Sequence, residues 1–281
     1  MIMEVYYESA EELLNRTEEF LFDDRLPGSL LTGYHDLDLL TGGLNPGELV
    51  CLAGRPCMGK TAFVLRMLRD ICMNGEKNCL YFSLAETGLQ LMKRLIVMDC
   101  LDGNILKDPG NAKKKQFTDS IERIRTSGLY INENAFTIGE IKECCMDLCS
   151  KEKTDLVIID YFQRIRGSGQ NAKDNKPILD ELRMIAKALN CPVIIISQLG
   201  RNTERRQDHR PFVSDLTDIG LMGDHFDKIF FVYRDDYYDI DSERKGVADI
   251  IVAKNRSFGI GIVSLAFIHD LALFENLIKP G

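Results

Sequence analysis

One octapeptide in this chain has the residue types and spacing to hold a phosphate chain: Gly54-Arg55-Pro56-Cys57-Met58-Gly59-Lys60-Thr61. An apolar run at 49–53 precedes it and a stretch with helical spacing at 62–73 follows it, so it lies on a strand-to-helix turn. Such a turn aims several backbone N–H groups at one centre, and the positive end of the helix dipole adds to them. Lys60 would reach the β- and γ-phosphates of ATP, and the Thr61 hydroxyl would ligate Mg²⁺. The octapeptide therefore predicts a site for ATP and Mg²⁺, whereas a chance glycine-rich loop would need neither the strand nor the helix.

Two further apolar runs end in polar side chains that belong at the same place. The run at 155–159 ends at Asp160, and the run at 192–197 ends at Gln198. The carboxyl ends of parallel strands share one edge of a sheet, so Asp160 is predicted to stand beside Thr61 at the magnesium. Gln198 is predicted to sense the γ-phosphate, and capping the end of its own strand stays open as an alternative.

Short apolar runs alternate with helical patterns from residue 30 onward. This alternation is typical of an α/β fold with a mainly parallel central sheet flanked by helices. Eight strands are predicted, at 49–53, 79–84, 129–131, 155–159, 192–197, 228–233, 247–253 and 262–267. No long helical pattern separates the last three, which predicts an antiparallel C-terminal extension of the sheet. Residues 1–29 predict a helix on a linker, and residues 30–281 predict the nucleotide-binding domain.

The composition is that of an ordinary globular protein, with 45% hydrophobic and 28% charged residues and a formal net charge of −8. The sequence has no run of eighteen apolar residues and no N-terminal signal pattern, so we expect neither a membrane partner nor secretion. The nine cysteines lack metal-ligand spacing and favour a reduced, cytoplasmic location.

A local basic stretch interrupts this acidic chain, formed by four arginines: Arg201, Arg205, Arg206 and Arg210. A phosphate backbone responds to nearby cations and not to the net charge, so the negative sum does not exclude nucleic acid here. Both a solvated surface loop and a nucleic-acid contact through Arg201 and Arg205 fit the pattern.

Taken in order, the motifs resemble the RecA-like ATPase domain of bacterial replicative DNA helicases of the DnaB type. The resemblance runs from residue 31 to the end. The octapeptide and seven other stretches carry it: Thr32-Gly33-Tyr34-His35-Asp36-Leu37-Asp38, Ile159-Asp160-Tyr161-Phe162-Gln163, Ser197-Gln198-Leu199, Arg210-Pro211, Ser214-Asp215-Leu216, Tyr233-Arg234-Asp235-Asp236-Tyr237-Tyr238 and Lys254-Asn255-Arg256.

The resemblance implies an ATP-driven motor that moves along single-stranded DNA during replication. It implies a homo-oligomer, a hexameric ring with ATP between subunits, in which Lys254 and Arg256 reach into the neighbour's site and act in catalysis. Loops near 167–175 and 215–224, the second including Gly220, would face the DNA. A helicase loader or a full-length helicase is a further expected partner.

The chain departs from the family pattern after its second strand. The family reads Ser-Leu-Glu-Met there, with the Glu activating water, whereas this chain reads Ser83-Leu84-Ala85-Glu86. Side chains alternate along a strand, so a one-residue displacement turns Glu86 to the other face unless the chain bends. Glu86 is the predicted catalytic base, and tight ATP binding with slow hydrolysis is the alternative.

A second departure lies in the DNA-facing loop. The family's Arg-Glu-Ser-Gly is replaced by the run at 217–222, so the arginine is lost. Either DNA affinity should be weaker, or the loop serves some other surface. The family's N-terminal helical domain is also missing from this sequence, which fits either a fragment or a short natural paralogue.

Three functions stay open on the sequence. The first is the helicase motor, and the second is an ATP-binding regulator that joins a helicase ring without unwinding. The third is another RecA-like ATPase of the recombination or clock type, against which the Tyr-Arg-Asp-Asp block argues. Five retained residues favour the motor: Lys60, Thr61, Asp160, Lys254 and Arg256.

Overall fold

The computed structural model describes residues 9–10, 28–100 and 111–277 of the chain. Most of the linker helix predicted within 1–29 therefore lies outside the described residues. Among the described residues, no helix is both long and apolar enough to cross a membrane.

The described residues contain nine strands, which form a single sheet in the order β3-β2-β4-β5-β1-β6-β7-β8-β9. Their bounds are β1 Leu49–Gly54, β2 Cys79–Ser83, β3 Leu129–Asn132, β4 Leu156–Asp160, β5 Val193–Gln198, β6 Lys228–Tyr233, β7 Val247–Asn255, β8 Gly261–Ile268 and β9 Leu273–Asn276. The pairs from β3 to β6 are parallel, and the pairs from β6 to β9 are antiparallel. The predicted mainly parallel sheet with an antiparallel C-terminal extension is confirmed. The ninth strand escaped prediction because it has only four residues, two apolar and two polar.

In the part of the chain that the structure describes from residue 28 onward, six helices flank the sheet: α1 His35–Thr41, α2 Lys60–Leu68, α3 Gly88–Cys100, α4 Asn111–Arg125, α5 Ile138–Lys151 and α6 Ala172–Leu189. The helix predicted at 62–73 is present in two parts, because α2 passes into a π-helical turn at Arg69–Asn74.

Both faces of the sheet are covered by apolar side chains. Along β1, Val50 and Leu52 belong to one buried cluster, whereas Leu49, Cys51 and Ala53 belong to the other. This is the alternation expected of a strand with helices on both sides, and it explains why the parallel strands read as continuous apolar runs.

A buried ion pair lies at the edge of the sheet where the parallel strands begin. Lys228 begins β6 with 0% of its surface exposed, and its Nζ lies 2.7 Å from Glu48 Oε2 and 2.7 Å from the Gly43 carbonyl oxygen. Burial lowers the pKa of Lys228, and Glu48 opposes that shift. Removing either partner would therefore leave the other charge buried and uncompensated, which destabilises the fold.

The register places the polar strand ends side by side at the carboxyl edge. Gly54 of β1 pairs with Gln198 of β5, and Ser83 of β2 pairs with Asp160 of β4. Residues that are far apart in the chain therefore meet at this edge.

Candidate functional site

A cavity of about 390 Å³ lies at the carboxyl edge of the sheet. Its wall comes from the phosphate loop (residues 54–61), from the segment after β2, from the carboxyl ends of β4 and β5, and from the C-terminal region at 267–272. Eight of the predicted site residues line it: Pro56, Cys57, Gly59, Lys60, Thr61, Glu86, Asp160 and Gln198. The structure therefore brings together phosphate, metal and catalytic candidates from four separate stretches of the chain.

The phosphate loop makes a tight bend that leaves little room for a side chain at Gly54 and Gly59. Cys57 has φ 63° and Gly59 has φ 97°. A Cβ on Gly59 would lie 2.8 Å from the Phe274 ring, and a Cβ on Gly54 would lie 2.8 Å from the Val232 carbonyl oxygen. Because α2 begins directly after Gly59, the free N–H groups of its first turn lie at the cavity, as anion binding requires.

The other residues of the phosphate loop have different surroundings. Pro56 and Cys57 line the cavity, and Met58 is buried with 1% exposed. Arg55 does not line the cavity, and its backbone carbonyl accepts from Lys60 Nζ. Its guanidinium instead contacts the segment after β5, where it donates to Glu204.

Lys60 is buried at the base of the cavity. Its Nζ donates to the Gly54 carbonyl at 2.9 Å and to the Arg55 carbonyl at 2.8 Å. Burial lowers the pKa of Lys60 to about 8, and the Asp160 carboxylate opposes that shift. A phosphate anion beside Nζ would favour the charged form and raise this pKa again.

Thr61 and Asp160 place two oxygen atoms that could ligate a metal next to Lys60. Thr61 Oγ1 donates to Asp160 Oδ2 at 2.7 Å, and Tyr81 Oη donates to the same oxygen at 2.7 Å. Burial raises the pKa of Asp160, and the hydrogen bonds from Tyr81 and Thr61 lower it. A hydroxyl and a carboxylate at one wall of a phosphate-sized cavity are donors that suit Mg²⁺. Sequence reasoning missed Tyr81, whose strand looked purely apolar.

The chain bends after β2 and brings both Ala85 and Glu86 to the cavity. The strand ends at Ser83, whose Oγ donates to the Glu86 carbonyl at 2.6 Å and holds this bend. The Glu86 carboxylate accepts from Arg94 Nη1 at 2.8 and 2.9 Å. Side chains therefore no longer alternate between the two faces of the sheet beyond Ser83, and Glu86 is not turned away from the cavity. Arg94, on α3, was not predicted from the sequence.

Gln198 lines the cavity at the end of β5, and a second glutamine holds its backbone. Gln163 Nε2 donates to Ser197 Oγ at 2.8 Å and to the Gln198 carbonyl at 3.2 Å. Gln163 Oε1 accepts from the Gln198 N–H at 3.3 Å. The end of β5 is thereby tied to the segment after β4, beside Asp160.

Lys254 and Arg256 lie at the opposite edge of the sheet. Lys228 pairs with Val50 on one side and with Asn255 on the other, so this end of β7 is level with the start of β1. Gly54, where the phosphate loop begins, is four residues beyond Val50 along β1, or roughly 13 Å at ~3.3 Å per residue. It also lies two strands away from β7 across the sheet. Lys254 Nζ donates to the Gly223 carbonyl at 2.8 Å. The structure therefore does not bring this pair into the cavity of its own chain.

The basic stretch divides into two inward and two outward arginines. Arg206 is paired with Asp215, with Nη2 2.6 Å from the carboxylate, and Arg210 is paired with Asp249 at 2.8 Å. Arg201 and Arg205 are exposed, and within the described residues neither forms an ion pair. A phosphate backbone could therefore meet Arg201 and Arg205, whereas Arg206 and Arg210 already hold internal carboxylates.

A buried asparagine joins the two loops that the resemblance assigns to DNA. Asn175 has 0% exposed, and its Nδ2 donates to the carbonyls of Gly169 at 2.8 Å and Gly220 at 3.0 Å. Gly220 has φ 71°, and a Cβ there would lie 2.6 Å from Asn175 Nδ2 and 2.8 Å from the Gln170 carbonyl oxygen. The loops therefore form one unit that depends on Gly220 and on Asn175, which sequence reasoning did not single out.

Comparison with known proteins agrees with this geometry. The family model for the DnaB-like helicase C-terminal domain matches residues 29–276. The chain is 35% identical over 283 residues to the replicative DNA helicase DnaC of Bacillus subtilis (strain 168), covering 96% of this chain and 60% of the relative. It is 34% identical over 282 residues to the replicative DNA helicase DnaB of Geobacillus stearothermophilus, again covering 96% and 60%. The chain thus spans about 60% of the length of these relatives.

Two solved structures share the fold. One is described as an ATPase domain; it superposes with a TM-score of 0.88 at 31% identity, covering 97% of this chain and 100% of that domain. The other is a DnaB-like replicative helicase, described with its interactions with primase, which gives a TM-score of 0.83 at 31% identity and covers 98% and 68%. With a family match over most of its length, the chain belongs to the DnaB-like helicase C-terminal domain family.

Proposed function

We propose that this chain is the ATP-dependent motor domain of a replicative DNA helicase. It would bind ATP with Mg²⁺ at the interfaces of a hexameric ring and couple hydrolysis to movement along single-stranded DNA. The observation that carries the proposal is the cavity in which Lys60 and the hydrogen-bonded Thr61–Asp160 pair meet, in a chain of this family.

The phosphate loop and its lysine suit a triphosphate. The free N–H groups at the start of α2 and the Lys60 ammonium would bind the phosphate oxygens. Thr61 and Asp160 would hold Mg²⁺, which when bound neutralises charge on the β- and γ-phosphates. Glu86 would accept a proton from the attacking water, and Arg94 fixes the direction of its carboxylate.

The location of Lys254 and Arg256 supports a site shared between subunits. They lie at the edge of the sheet away from the cavity of their own chain, and Arg256 is half exposed. An arginine supplied by a neighbouring subunit stabilises transition-state charge and accelerates phosphoryl transfer by roughly 10³–10⁵ in well-studied cases. In the proposed ring, Lys254 and Arg256 act on the neighbour's γ-phosphate.

Single-stranded DNA is the proposed track. The exposed Arg201 and Arg205 would contact phosphates, and the turn at Gly220 would offer backbone groups. Protein partners in this proposal are further copies of the chain, a full-length helicase of the same family and a helicase loader. A motor on replicating bacterial DNA would work in the cytoplasm.

Steady-state ATP hydrolysis, measured with and without an oligo(dT) strand, tests this proposal. We expect oligo(dT) to stimulate the wild type and Lys60→Ala to abolish turnover. Glu86→Gln should lower turnover by about 10²-fold or more, as expected for loss of a general base. Glu243→Gln is the matched control, because Glu243 is exposed and outside the cavity. Tight ATP binding without turnover, unchanged by Glu86→Gln, would instead support the ATP-binding regulator.

A further inference from the structure

Arg55 belongs to the phosphate loop, but its side chain binds another part of the molecule. Nη1 donates to the Leu199 carbonyl at 2.7 Å, and Nε and Nη2 donate to Glu204 Oε1 at 2.9 and 2.7 Å. Only 13% of the Arg55 side chain is exposed. A planar guanidinium that uses three donors on one short segment fixes the direction of that segment as well as its distance.

The backbone of Arg55 is in direct contact with the phosphate-binding lysine. Lys60 Nζ donates to the Arg55 carbonyl at 2.8 Å, and the Leu199 N–H donates to the Gly54 carbonyl at 3.1 Å. The carbonyls of Gly54 and Arg55 take two of the three Lys60 ammonium hydrogens, so a phosphate that accepts more than the remaining one competes with these carbonyls. Occupation of the phosphate site therefore acts on the residue that holds Glu204.

The segment that Arg55 holds leads to the DNA-facing loops. Glu204 lies in the 3₁₀ helix Arg201–Arg205, which also carries the two exposed arginines. From the same helix, Asn202 Nδ2 donates to Asp218 Oδ2 at 2.9 Å, two residues before Gly220. Side-chain contacts therefore run from Lys60 through Arg55 to Glu204, and from the helix to the loop at 215–224.

We propose that Arg55 is a positioning residue, and that the Arg55–Glu204 pair couples triphosphate binding at the phosphate loop to single-stranded DNA binding at the Arg201–Arg205 helix. This inference rests on the proposed function and adds the route by which one site affects the other. Coupling between two binding sites is reciprocal, so each ligand must tighten the other by the same factor.

The test is the coupling factor, measured as the ratio of AMP-PNP·Mg²⁺ affinities with and without saturating oligo(dT). For the wild type we expect a factor of at least about 5, within the usual range for allosteric coupling. Glu204→Gln should leave the affinity for AMP-PNP·Mg²⁺ alone within about twofold, because Glu204 lies outside the cavity, yet reduce the factor below about 2. Loss of one negative charge near the DNA changes the affinity for oligo(dT) by the same amount with and without AMP-PNP·Mg²⁺. This effect therefore cancels in the coupling factor.

Glu243→Gln makes the same chemical change at an exposed position outside this network, and it should keep the wild-type factor. An unchanged factor in Glu204→Gln would overturn the inference while leaving the motor intact. Equal loss of both affinities in Glu204→Gln, with a lower melting temperature, would reduce Glu204 to a structural role and also overturn it. A wild type that binds neither ligand would remove the proposed function together with the inference.

Discussion

Tyr81 offers a direct perturbation of the proposed magnesium site, because one hydroxyl can be removed without changing the ring. Its Oη donates to Asp160 Oδ2 at 2.7 Å, and both residues are buried, with 1% and 7% exposed. Tyr81→Phe deletes this donor and leaves Thr61 as the donor to the same oxygen. The carboxylate then keeps its place in β4 but loses one of the two groups that fix its direction.

Hydrogen bonds to charged groups contribute about 1.5–3 kcal/mol, equivalent to roughly 10- to 150-fold. Because Thr61 remains, we expect the lower end, so that half-maximal ATP hydrolysis requires about a tenfold higher Mg²⁺ concentration. The pH dependence should move as well. Burial raises the pKa of Asp160 and the Tyr81 hydrogen bond lowers it, so deleting that bond raises the pKa further. The ionised carboxylate is the form that holds metal, so activity is lost as pH falls and should be lost at higher pH in the variant.

The assay is ATP turnover as a function of Mg²⁺ concentration at several pH values. Tyr130→Phe is the matched control, because its hydroxyl also donates to a carboxylate, Glu152, at 2.7 Å, but on the surface and outside the cavity. The control should match the wild type. If Tyr81→Phe has the wild-type Mg²⁺ requirement and loses activity at the same acidic pH as the wild type, Asp160 does not hold Mg²⁺ as proposed.

Other substitutions affect the buried ion pair, the proposed shared site and the loop at Gly220. Lys228→Met leaves Glu48 buried and unpaired, so the free energy of unfolding in urea should fall by about 3–5 kcal/mol. Arg256→Ala should keep ATP binding and lose hydrolysis by roughly 10³-fold or more. Mixing this variant with Lys60→Ala should restore some turnover, because a site can then combine an intact Lys60 from one variant with an intact Arg256 from the other. Gly220→Ala forces a Cβ into the Gln170 backbone at φ 71°, and should weaken oligo(dT) binding in a filter or anisotropy assay.

Each of these changes has a control or a contrary outcome. Lys151→Met removes an exposed pair with Asp147 and should alter the free energy of unfolding by less than about 1 kcal/mol. Gly139→Ala adds a Cβ in open space on a helix and should leave oligo(dT) binding intact. Mixtures of Arg256→Ala and Lys60→Ala that show no rescue would count against a shared site.

The phosphate loop was predictable because its residues are contiguous and its context is local. A strand before the octapeptide and a helix after it are visible as patterns, and the structure has both, with α2 beginning at Lys60. Asp160 and Gln198 were predictable as strand ends because parallel strands share a carboxyl edge. The register that pairs Gly54 with Gln198 places them at that edge.

Contacts between distant elements were not predictable. Tyr81 reads as one more core residue until the pairing of β2 with β4 brings it to Asp160. Arg206 and Arg210 looked as available to phosphate as Arg201, because the carboxylates that bind them lie in other elements. The alternation rule could not decide the direction of Glu86, since the strand that it describes has already ended at Ser83.

The affinity of the wild-type protein for ATP, measured with and without Mg²⁺, tests the central claim most directly. If Lys60, Thr61 and Asp160 hold a magnesium-bound triphosphate, Mg²⁺ should tighten ATP binding by at least about tenfold, or about 1.4 kcal/mol. Equal affinity with and without Mg²⁺, or no measurable binding of ATP, would contradict the assignment of this cavity.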